Sequence, residues 1–481
     1  MKLNLITDKP DFRDDLCEEA RLFLPVRKIE DGYTEEGLLI VHSSAGNSHR
    51  AELFEDGRKA AEYSFNGRDT EGLSALEKKR YFKRAAKSCI YGLLSKYTGK
   101  SPPWGSLTGV RPTKLFRDTA GTAGIEGALE LFKDEFHVSD GKTALLRDIY
   151  YAQKDVLDQA GSDDIDIYIG IPICVSKCAY CTFSSVLTSK DGSMEKKYTD
   201  SLIRQIEASY PLIEGRKVRS VYIGGGTPTA LPAHELERVL EAAGRIAGGC
   251  EFTVEAGRPD TIDEEKLALI KEAGADRISV NAQTTSDMTL RRIGRAHTAE
   301  DFFEKIELAA GFGFRSINCD LIAGLPGEDA KTVEKSIREV IGTGASNITV
   351  HSLALKRASR FVRDNEDLFM DSKTAEETVS TAQEILRENG YTPYYMYRQK
   401  YMTGNLENCG YEKNGDPCIY NIDIMEEAVD ILAMGGGGIS KRILRGDRKI
   451  VRSAMVKDVL SYILRTDEMT ERNYELFGRN K

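Results

Sequence analysis

The chain has 481 residues, of which 41% are hydrophobic and 8% aromatic, and about 150 residues per domain leads us to expect three domains. Its 67 basic and 76 acidic residues give a net charge of −9, which excludes bulk attraction to nucleic acid. No apolar run reaches about 18 residues, and the first residues, MKLNLITDKPDF, lack a signal-peptide layout. We therefore expect no membrane span and a cytoplasmic location.

Residues 1–160 are predicted to form an α+β domain. The apolar stretch Leu38–His42 is strand-like, and from Ser74 to Tyr97 apolar residues recur at the spacing of a helix. The segment 101–113 holds three prolines, two glycines and the only tryptophan, Trp104. This composition excludes a regular helix or central strand. It predicts an ordered connector held by Trp104, with a lid or partner surface as the alternative.

Residues 161–360 show a regular alternation of strand-like and helix-like segments. Six units of this kind predict parallel strands joined by right-handed crossovers, an α/β fold. An eight-stranded barrel usually needs about 250 residues, so we predict a partial (β/α)6, TIM-like barrel. The predicted strands are Ile165–Ile173, Val218–Ile223, Glu251–Glu255, Arg277–Val280, Ser316–Ile322 and Asn347–Leu353. Residues 361–481, with the tyrosine-rich Tyr391–Tyr401 and the glycine run Gly435–Gly438, are predicted to form a C-terminal lobe that contacts substrate or covers the barrel opening.

The strongest chemical signal is a C-x3-C-x2-C array, Cys174, Cys178 and Cys181, directly after the first barrel strand. A structural zinc site needs four ligands, usually as two separated pairs. Three thiolates on one loop suit a 4Fe–4S cluster that keeps one iron open to another ligand. Zinc remains an alternative, and Cys409 and Cys418 are weighed as a second metal site. The odd total of nine cysteines argues against a complete disulfide framework.

Further polar or glycine motifs follow successive predicted strands, where side chains of a parallel barrel converge. The segment Tyr222–Thr229 (YIGGGTPT) contains a glycine triad whose exposed backbone groups could hold the ammonium and carboxylate of an amino acid. Glu255 ends the third strand, where its carboxylate could accept hydrogen bonds from ribose hydroxyls. Gln283 follows the fourth strand, with Arg295 twelve residues later, and Asp320 lies in the fifth strand. Together these residues predict one ligand pocket.

The cysteine array, with Tyr180 before its third member, resembles the radical S-adenosylmethionine (SAM) superfamily. The segments 222–229, 277–298 and 318–328 are similar to the oxygen-independent coproporphyrinogen III oxidase group and its heme-chaperone relatives. Segments 101–115 and 394–411 are similar to the HemZ-type coproporphyrinogen dehydrogenase branch. The resemblance implies a 4Fe–4S cluster on the three cysteines, with Tyr180 close to it. It also implies that SAM contacts Tyr168, Gly225, Gly226, Thr227, Glu255, Gln283, Arg295 and Asp320.

The activity that this resemblance implies is the oxidative decarboxylation of coproporphyrinogen III to protoporphyrinogen IX by a 5′-deoxyadenosyl radical, a step of heme biosynthesis. A reductant such as flavodoxin or ferredoxin would supply electrons. Two positions depart from the family pattern: Phe183 replaces a cysteine of the decarboxylating enzymes, and Gly170 replaces a histidine. A heme-binding chaperone and a radical SAM heme-modifying enzyme are therefore the alternatives.

Cationic residues are expected to pair with the propionates of a tetrapyrrole substrate. Arg398, flanked by Tyr395 and Tyr397, is the best candidate, because an aromatic surround suits both the ring face and its carboxylates. Lys400 lies near Arg398 in the sequence. A second basic group follows the sixth strand and consists of Lys356, Arg357 and Arg360.

Overall fold

The computed structural model describes residues 2–26, 28–109, 111–354, 372–399, 403–445 and 449–478. The chain forms two compact units. The first comprises Met1–Tyr150 and Arg398–Leu406, and the second comprises Tyr151–Tyr397 and Glu407–Lys481. In the described part of the chain, no helix is long and apolar enough to cross a membrane.

The first unit is an α+β domain built on a five-stranded sheet of order β2-β1-β3-β4-β5. Its strands are β1 (Leu3–Thr7), β2 (Ile29–Glu30), β3 (Leu38–Ala45), β4 (Ser48–Glu55) and β5 (Arg58–Asn66). Its helices are α1 (Arg13–Ala20), α2 (Ala75–Thr98) and α3 (Pro112–Glu130), and α4 (Asp140–Asp158) continues into the second unit.

Helix α2 has clear start and stop signals. Ser74 caps its first turn in a reciprocal pair with Glu77, and Gly99 ends it in the left-handed conformation with φ of 69°. Buried residues such as Ile90 and Leu94 pack against the sheet core around Leu53. The apolar face that the periodicity of this helix creates therefore covers one side of the sheet.

The core of the second unit is a run of six parallel strands in chain order. These are β6 (Ile165–Ile171), β9 (Val218–Gly225), β10 (Glu251–Gly257), β11 (Arg277–Val280), β12 (Ser316–Ala323) and β13 (Asn347–Ser352). The crossover helices are α5 (Ser193–Ile213), α6 (Ala233–Ala247), α7 (Glu264–Glu272), α8 (Asp287–Arg292), α9 (Ala299–Gly311) and α10 (Ala330–Gly342). The predicted (β/α)6 fold is confirmed. The short strands β7 (Ile173–Cys174) and β8 (Val186–Leu187) pair beside it.

The C-terminal region extends both edges of the barrel sheet, which reaches eleven strands. Beyond β13, β15 (Asn408–Glu412) and β14 (Thr392–Tyr397) add antiparallel strands. Beyond β6, β16 (Asp430–Gly435) pairs in parallel, followed by the antiparallel β17 (Ile439–Leu444) and β18 (Lys449–Ala454). The helices of this region are α11 (Ser372–Glu388), α12 (Ile419–Glu426), α13 (Val459–Leu464) and α14 (Thr466–Phe477).

Strands β6 and β16 approach closely where β6 ends. A Cβ atom on Gly435 would lie 2.1 Å from the carbonyl oxygen of Gly170, and one on Gly170 would lie 2.9 Å from the carbonyl oxygen of Gly436. The buried Tyr198 hydroxyl joins the two strands, since it donates to Gly170 O (2.6 Å) and accepts from Gly436 N (2.8 Å). Packing against the glycine run thus explains why glycine stands at position 170, where the family pattern has histidine.

We predict that Gly435→Ala lowers the free energy of unfolding by about 3 kcal/mol, the sum of a left-handed alanine and an overpacked contact. Gly435 has φ of +86°. Gly437 is the matched control: its φ is +81° but its Cβ direction is open, so Gly437→Ala should cost only about 1–2 kcal/mol. Urea and thermal unfolding midpoints measure both variants, and equal losses would contradict the close-contact explanation.

Candidate functional site

The three cysteines lie on a loop that is closed at its base. Strand β7 ends in Cys174, and it pairs with β8 after the loop returns. Val186 N donates to Pro172 O (3.0 Å), and Thr188 N donates to Cys174 O (3.1 Å). At the far side of the loop, Ala179 N donates to Ile293 O (2.9 Å). The two ends of the loop are therefore paired with each other, and its middle is fixed to the barrel.

The three thiols of this loop lie close enough to interact electrostatically. Cys174 and Cys178 are buried and Cys181 is partly buried. Burial raises the pKa of the Cys181 thiol, and the neighbouring Cys178 and Cys174 raise it further. Among the described residues, no three His, Cys, Asp or Glu side chains are placed to hold a single metal ion. A thiol set without a fourth protein ligand fits a larger cluster with an open position better than a closed zinc site.

Cys409 and Cys418 lie apart from this loop. Cys409 is buried in β15, and the Cys418 thiol contacts Glu251 Oε1 at 3.3 Å. The Glu251 carboxylate also accepts from the backbone N–H groups of Ile419 and Tyr420, both at 3.0 Å. These contacts hold Cys418 at the start of α12, apart from the three thiols of the loop.

The glycine triad after β9 packs on the backbone that leads to Cys174. Gly225 has φ of +116°, and a Cβ atom on Gly226 would lie 2.6 Å from Ile173 O and 2.9 Å from Cys174 Sγ. The N–H groups of Gly226 and Thr227 donate to the carbonyls of Ile171 and Ile173, both at 2.9 Å. Because these N–H groups are engaged, the triad can offer carbonyl oxygens to an ammonium group rather than N–H groups to a carboxylate.

Glu255, at the end region of β10, is held by the neighbouring strand. Tyr222 Oη donates to Glu255 Oε1 (2.5 Å), and Gly225 N donates to Oε2 (3.3 Å). Burial raises the pKa of Glu255 to about 7 despite these donors. The Tyr222 ring stacks on Tyr420 at a centroid distance of 4.4 Å and on Tyr168 at 6.4 Å. The structure thus brings Tyr168 and Glu255 together, and it adds Tyr420, which sequence reasoning missed.

Asp320, on β12, forms a second polar group in the same barrel. It accepts from Asn318 Nδ2 (2.8 Å), and His351 Nε2 lies 3.6 Å from its Oδ2 atom. Burial raises the pKa of Asp320, but hydrogen bonding and the charge of His351, with help from Asn318, lower it to below its ordinary value. Gln283 has φ of +67° and its N–H donates to Asp320 O (2.8 Å). His351 was missed because one histidine at a strand end carries no motif.

Arg295 is a cation whose N–H groups are only partly hydrogen-bonded. It is 8% exposed, and its Nη2 donates to Tyr180 Oη (3.0 Å) on the cysteine loop. Its Nε and Nη1 atoms are buried and have no hydrogen-bond partner among the described residues. A buried donor without an acceptor is costly, so a ligand carboxylate would fit these two atoms. This observation supports the expected SAM site.

Arg258, a residue that sequence reasoning missed, also reaches the cysteine loop. Its Nε and Nη2 atoms bind the two oxygens of Asp260 at 2.9 and 2.7 Å. Its Nη1 atom is 3.3 Å from Ser176 O and 3.6 Å from Cys178 Sγ. No spacing rule links an arginine after the third strand to a cysteine 80 positions earlier.

The structure does not support Arg398 as a substrate ligand. Arg398 is buried in the first unit, with its guanidinium 5.1 Å from the Trp104 ring centroid, and it donates to Leu107 O and Asn405 O. Tyr395 and Tyr397 belong to the second unit. Tyr395 is buried with its ring against Gly410, while Tyr397 Oη lies 3.4 Å from His351 Nδ1. Lys356, Arg357, Arg360 and Lys400 lie outside the described residues.

The chain is similar to several known proteins. Residues 168–340 match the family described as the radical SAM superfamily. The chain is 38% identical over 410 residues to the oxygen-independent coproporphyrinogen-III oxidase-like protein HemZ of Bacillus subtilis, covering 82% of each chain. It is 26% identical to the heme chaperone HemW of Escherichia coli, covering 65% of this chain and 81% of that protein.

A solved structure has the same fold. It is described as coproporphyrinogen III oxidase (HemN) from Escherichia coli, a radical SAM enzyme. The TM-score is 0.54 at 22% sequence identity, and the match covers 67% of this chain and 73% of that chain.

We predict that replacing Cys174, Cys178 or Cys181 with Ala abolishes the brown iron–sulfur chromophore and bound iron after anaerobic reconstitution, because each removes one ligand of a three-thiol set. Cys409→Ala and Cys418→Ala are the controls and should keep both signals. Iron analysis and absorption spectra measure the result. Loss of iron in either control would mean that a further cluster or ligand exists.

SAM binding is expected to depend on pH through Glu255. The Glu255 carboxyl, with a pKa of about 7, becomes charged only as the pH rises through that value, and a charged acceptor binds ribose hydroxyls and the sulfonium cation more strongly. We expect SAM affinity to rise about fivefold to tenfold between about pH 6 and pH 8. Glu255→Gln should remove this dependence, while any dependence that comes from the titration of SAM itself stays. Calorimetry on cluster-loaded protein measures the affinity at each pH. An unchanged pH profile in the variant would exclude Glu255 as its source.

Proposed function

Because the chain belongs to the radical SAM superfamily, within the oxygen-independent coproporphyrinogen III oxidase-like group, we propose that it decarboxylates two propionates of coproporphyrinogen III to give protoporphyrinogen IX. The observation that carries this proposal is the 38% identity to HemZ over 82% of both chains, which extends well beyond the barrel. Its cofactors are a 4Fe–4S cluster and SAM. A one-electron donor such as flavodoxin or ferredoxin reduces the cluster, and a separate one-electron acceptor takes the electron that the substrate radical loses with each CO2.

We assign the cluster to Cys174, Cys178 and Cys181, and SAM to the polar groups at the strand ends. When bound, this cofactor pair supplies abstraction of a hydrogen atom from a substrate carbon. Arg295 has two buried N–H atoms for the carboxylate of SAM, and Glu255 offers an acceptor for its ribose. The carbonyls near Gly225 and Gly226 would accept from its ammonium. The stacked rings of Tyr168 and Tyr222 lie beside Glu255.

On the substrate side we assign a role to His351. Its imidazole lies between the Asp320 carboxylate (3.6 Å) and the Tyr397 hydroxyl (3.4 Å), at the end region of the sixth strand, and it is partly exposed. With Nε2 directed at Asp320, the Nδ1–H group can exchange its long contact with the Tyr397 hydroxyl for a charge-assisted hydrogen bond to a second carboxylate. A propionate of the substrate is the matching group. His351 thus replaces Arg398 as the candidate for propionate recognition.

A heme chaperone of the same family is the second candidate, favoured by Phe183. This residue stands where the decarboxylating enzymes carry a further cysteine, and it is 68% exposed beside the cluster ligands. An exposed phenyl ring offers an apolar contact for a tetrapyrrole face. The similarity to HemW chaperones agrees with this candidate as well.

We predict that anaerobic protein with SAM, a reductant and coproporphyrinogen III releases CO2 and forms 5′-deoxyadenosine and a divinyl product, detected by mass spectrometry. Cys181→Ala is the control without a cluster and should be inactive. SAM cleavage with all four propionates intact would contradict the proposal. Stoichiometric heme binding with transfer to an apo-cytochrome, without a vinyl product, would select the chaperone. A changed absorption spectrum of anaerobic heme would instead indicate heme modification.

We further predict that His351→Asn raises the KM for coproporphyrinogen more than it lowers kcat. Loss of one charge-assisted hydrogen bond, about 1.5–3 kcal/mol, corresponds to an increase of about tenfold to a hundredfold. His234, exposed at the surface on α6, is the control, and His234→Asn should leave both constants unchanged. An unchanged KM in His351→Asn would exclude this contact.

A further inference from the structure

The side chain of Arg258 is buried between the third barrel strand and the cysteine loop. It is 4% exposed. The local backbone fixes its direction: Gly257 has φ of +65°, and Pro259 begins a short 3-10 turn. Thr261 closes this turn, since its N–H and hydroxyl both donate to Arg258 O, at 3.0 and 2.9 Å. The Arg258 side chain therefore leaves a backbone segment that is held by local hydrogen bonds.

The contacts of this guanidinium are divided between two sides. One edge forms the bidentate pair with Asp260, at 2.9 and 2.7 Å. The remaining Nη1 atom contacts Ser176 O and Cys178 Sγ, at 3.3 and 3.6 Å. Burial of a charged group is costly unless it is paired and hydrogen-bonded. Asp260 provides the pairing, and the leftover donor is directed at a cluster ligand.

A donor and a positive charge at a ligand sulfur change the energy of the cluster's two redox states. One-electron reduction adds negative charge to the cluster and its thiolates, and hydrogen bonds to the sulfurs are among the groups that set the potential. A nearby guanidinium stabilises the reduced state more than the oxidised one. It therefore makes reduction easier.

We propose that Arg258 is a positioning residue that holds Cys178 and raises the reduction potential of the cluster, with Asp260 orienting it and offsetting part of its charge. The inference rests on the assignment of the cluster to the three cysteines and not on the tetrapyrrole reaction. It applies equally to a decarboxylase and to a chaperone. It also requires no new reactant, because the electron comes from the same reductant.

The test uses the full chain, reconstituted anaerobically without tetrapyrrole, and titrates the cluster with redox mediators while absorption and EPR spectra are recorded. Arg258→Gln removes the charge and should shift the midpoint potential to more negative values at unchanged iron content. Asp260→Asn leaves the guanidinium uncompensated and should shift it to more positive values. A merely structural ion pair would give no such opposite shifts.

Arg238 is the matched control. It forms ion pairs with Glu235 and Asp200 away from the loop, and it is partly exposed, so Arg238→Gln should leave the potential unchanged. If Arg258→Gln takes up no cluster, the Asp260→Asn potential decides: a positive shift supports the proposal and its absence overturns it. An unchanged potential in iron-loaded Arg258→Gln overturns it as well. Because tetrapyrrole is absent, these results do not depend on the proposed decarboxylation.

Discussion

The site depends on one steric constraint: the backbones of three parallel strands approach so closely at their carboxyl ends that side chains are excluded. Glycines occupy this contact: Gly170 on β6, Gly225 and Gly226 at the end of β9, and Gly435 on β16. The close packing lets the N–H groups of Gly226 and Thr227 donate to the backbone carbonyls before Cys174. The cysteine loop therefore leaves a rigid platform, although loops are usually the mobile part of a protein.

The positive and negative side chains around this platform lie in two separate groups. Two buried guanidiniums, Arg258 and Arg295, contact the cysteine loop through Cys178 and Tyr180. Carboxylates lie on the neighbouring strands, where Glu255 faces Tyr222 and Asp320 faces His351. Cations beside the thiolates offset the negative charge that a cluster brings. The carboxylates suit a ligand that carries a sulfonium and an ammonium group.

The parts that could be predicted from the sequence are those encoded locally. The six strands show as apolar runs, and the ligand motifs are contiguous or lie at strand ends, where topology alone brings them together. The rest depends on contacts between distant residues. Arg398 lies next to two tyrosines in sequence, yet its guanidinium packs on Trp104. The glycine at position 170 is explained by its close contact with Gly435 and Gly436. The roles of His351 and Arg258 follow only from their contacts with Asp320 and Cys178, respectively.

The segment Arg398–Leu406 belongs to the first compact unit, although the other residues of that unit end at Tyr150. During synthesis from the ribosome, Trp104 emerges almost three hundred residues before the arginine that covers its ring. The Leu107 carbonyl likewise has no Arg398 donor until that residue has been synthesised. The first unit therefore cannot complete its interior as a nascent domain. Its final packing comes after the six parallel strands of the barrel have been translated.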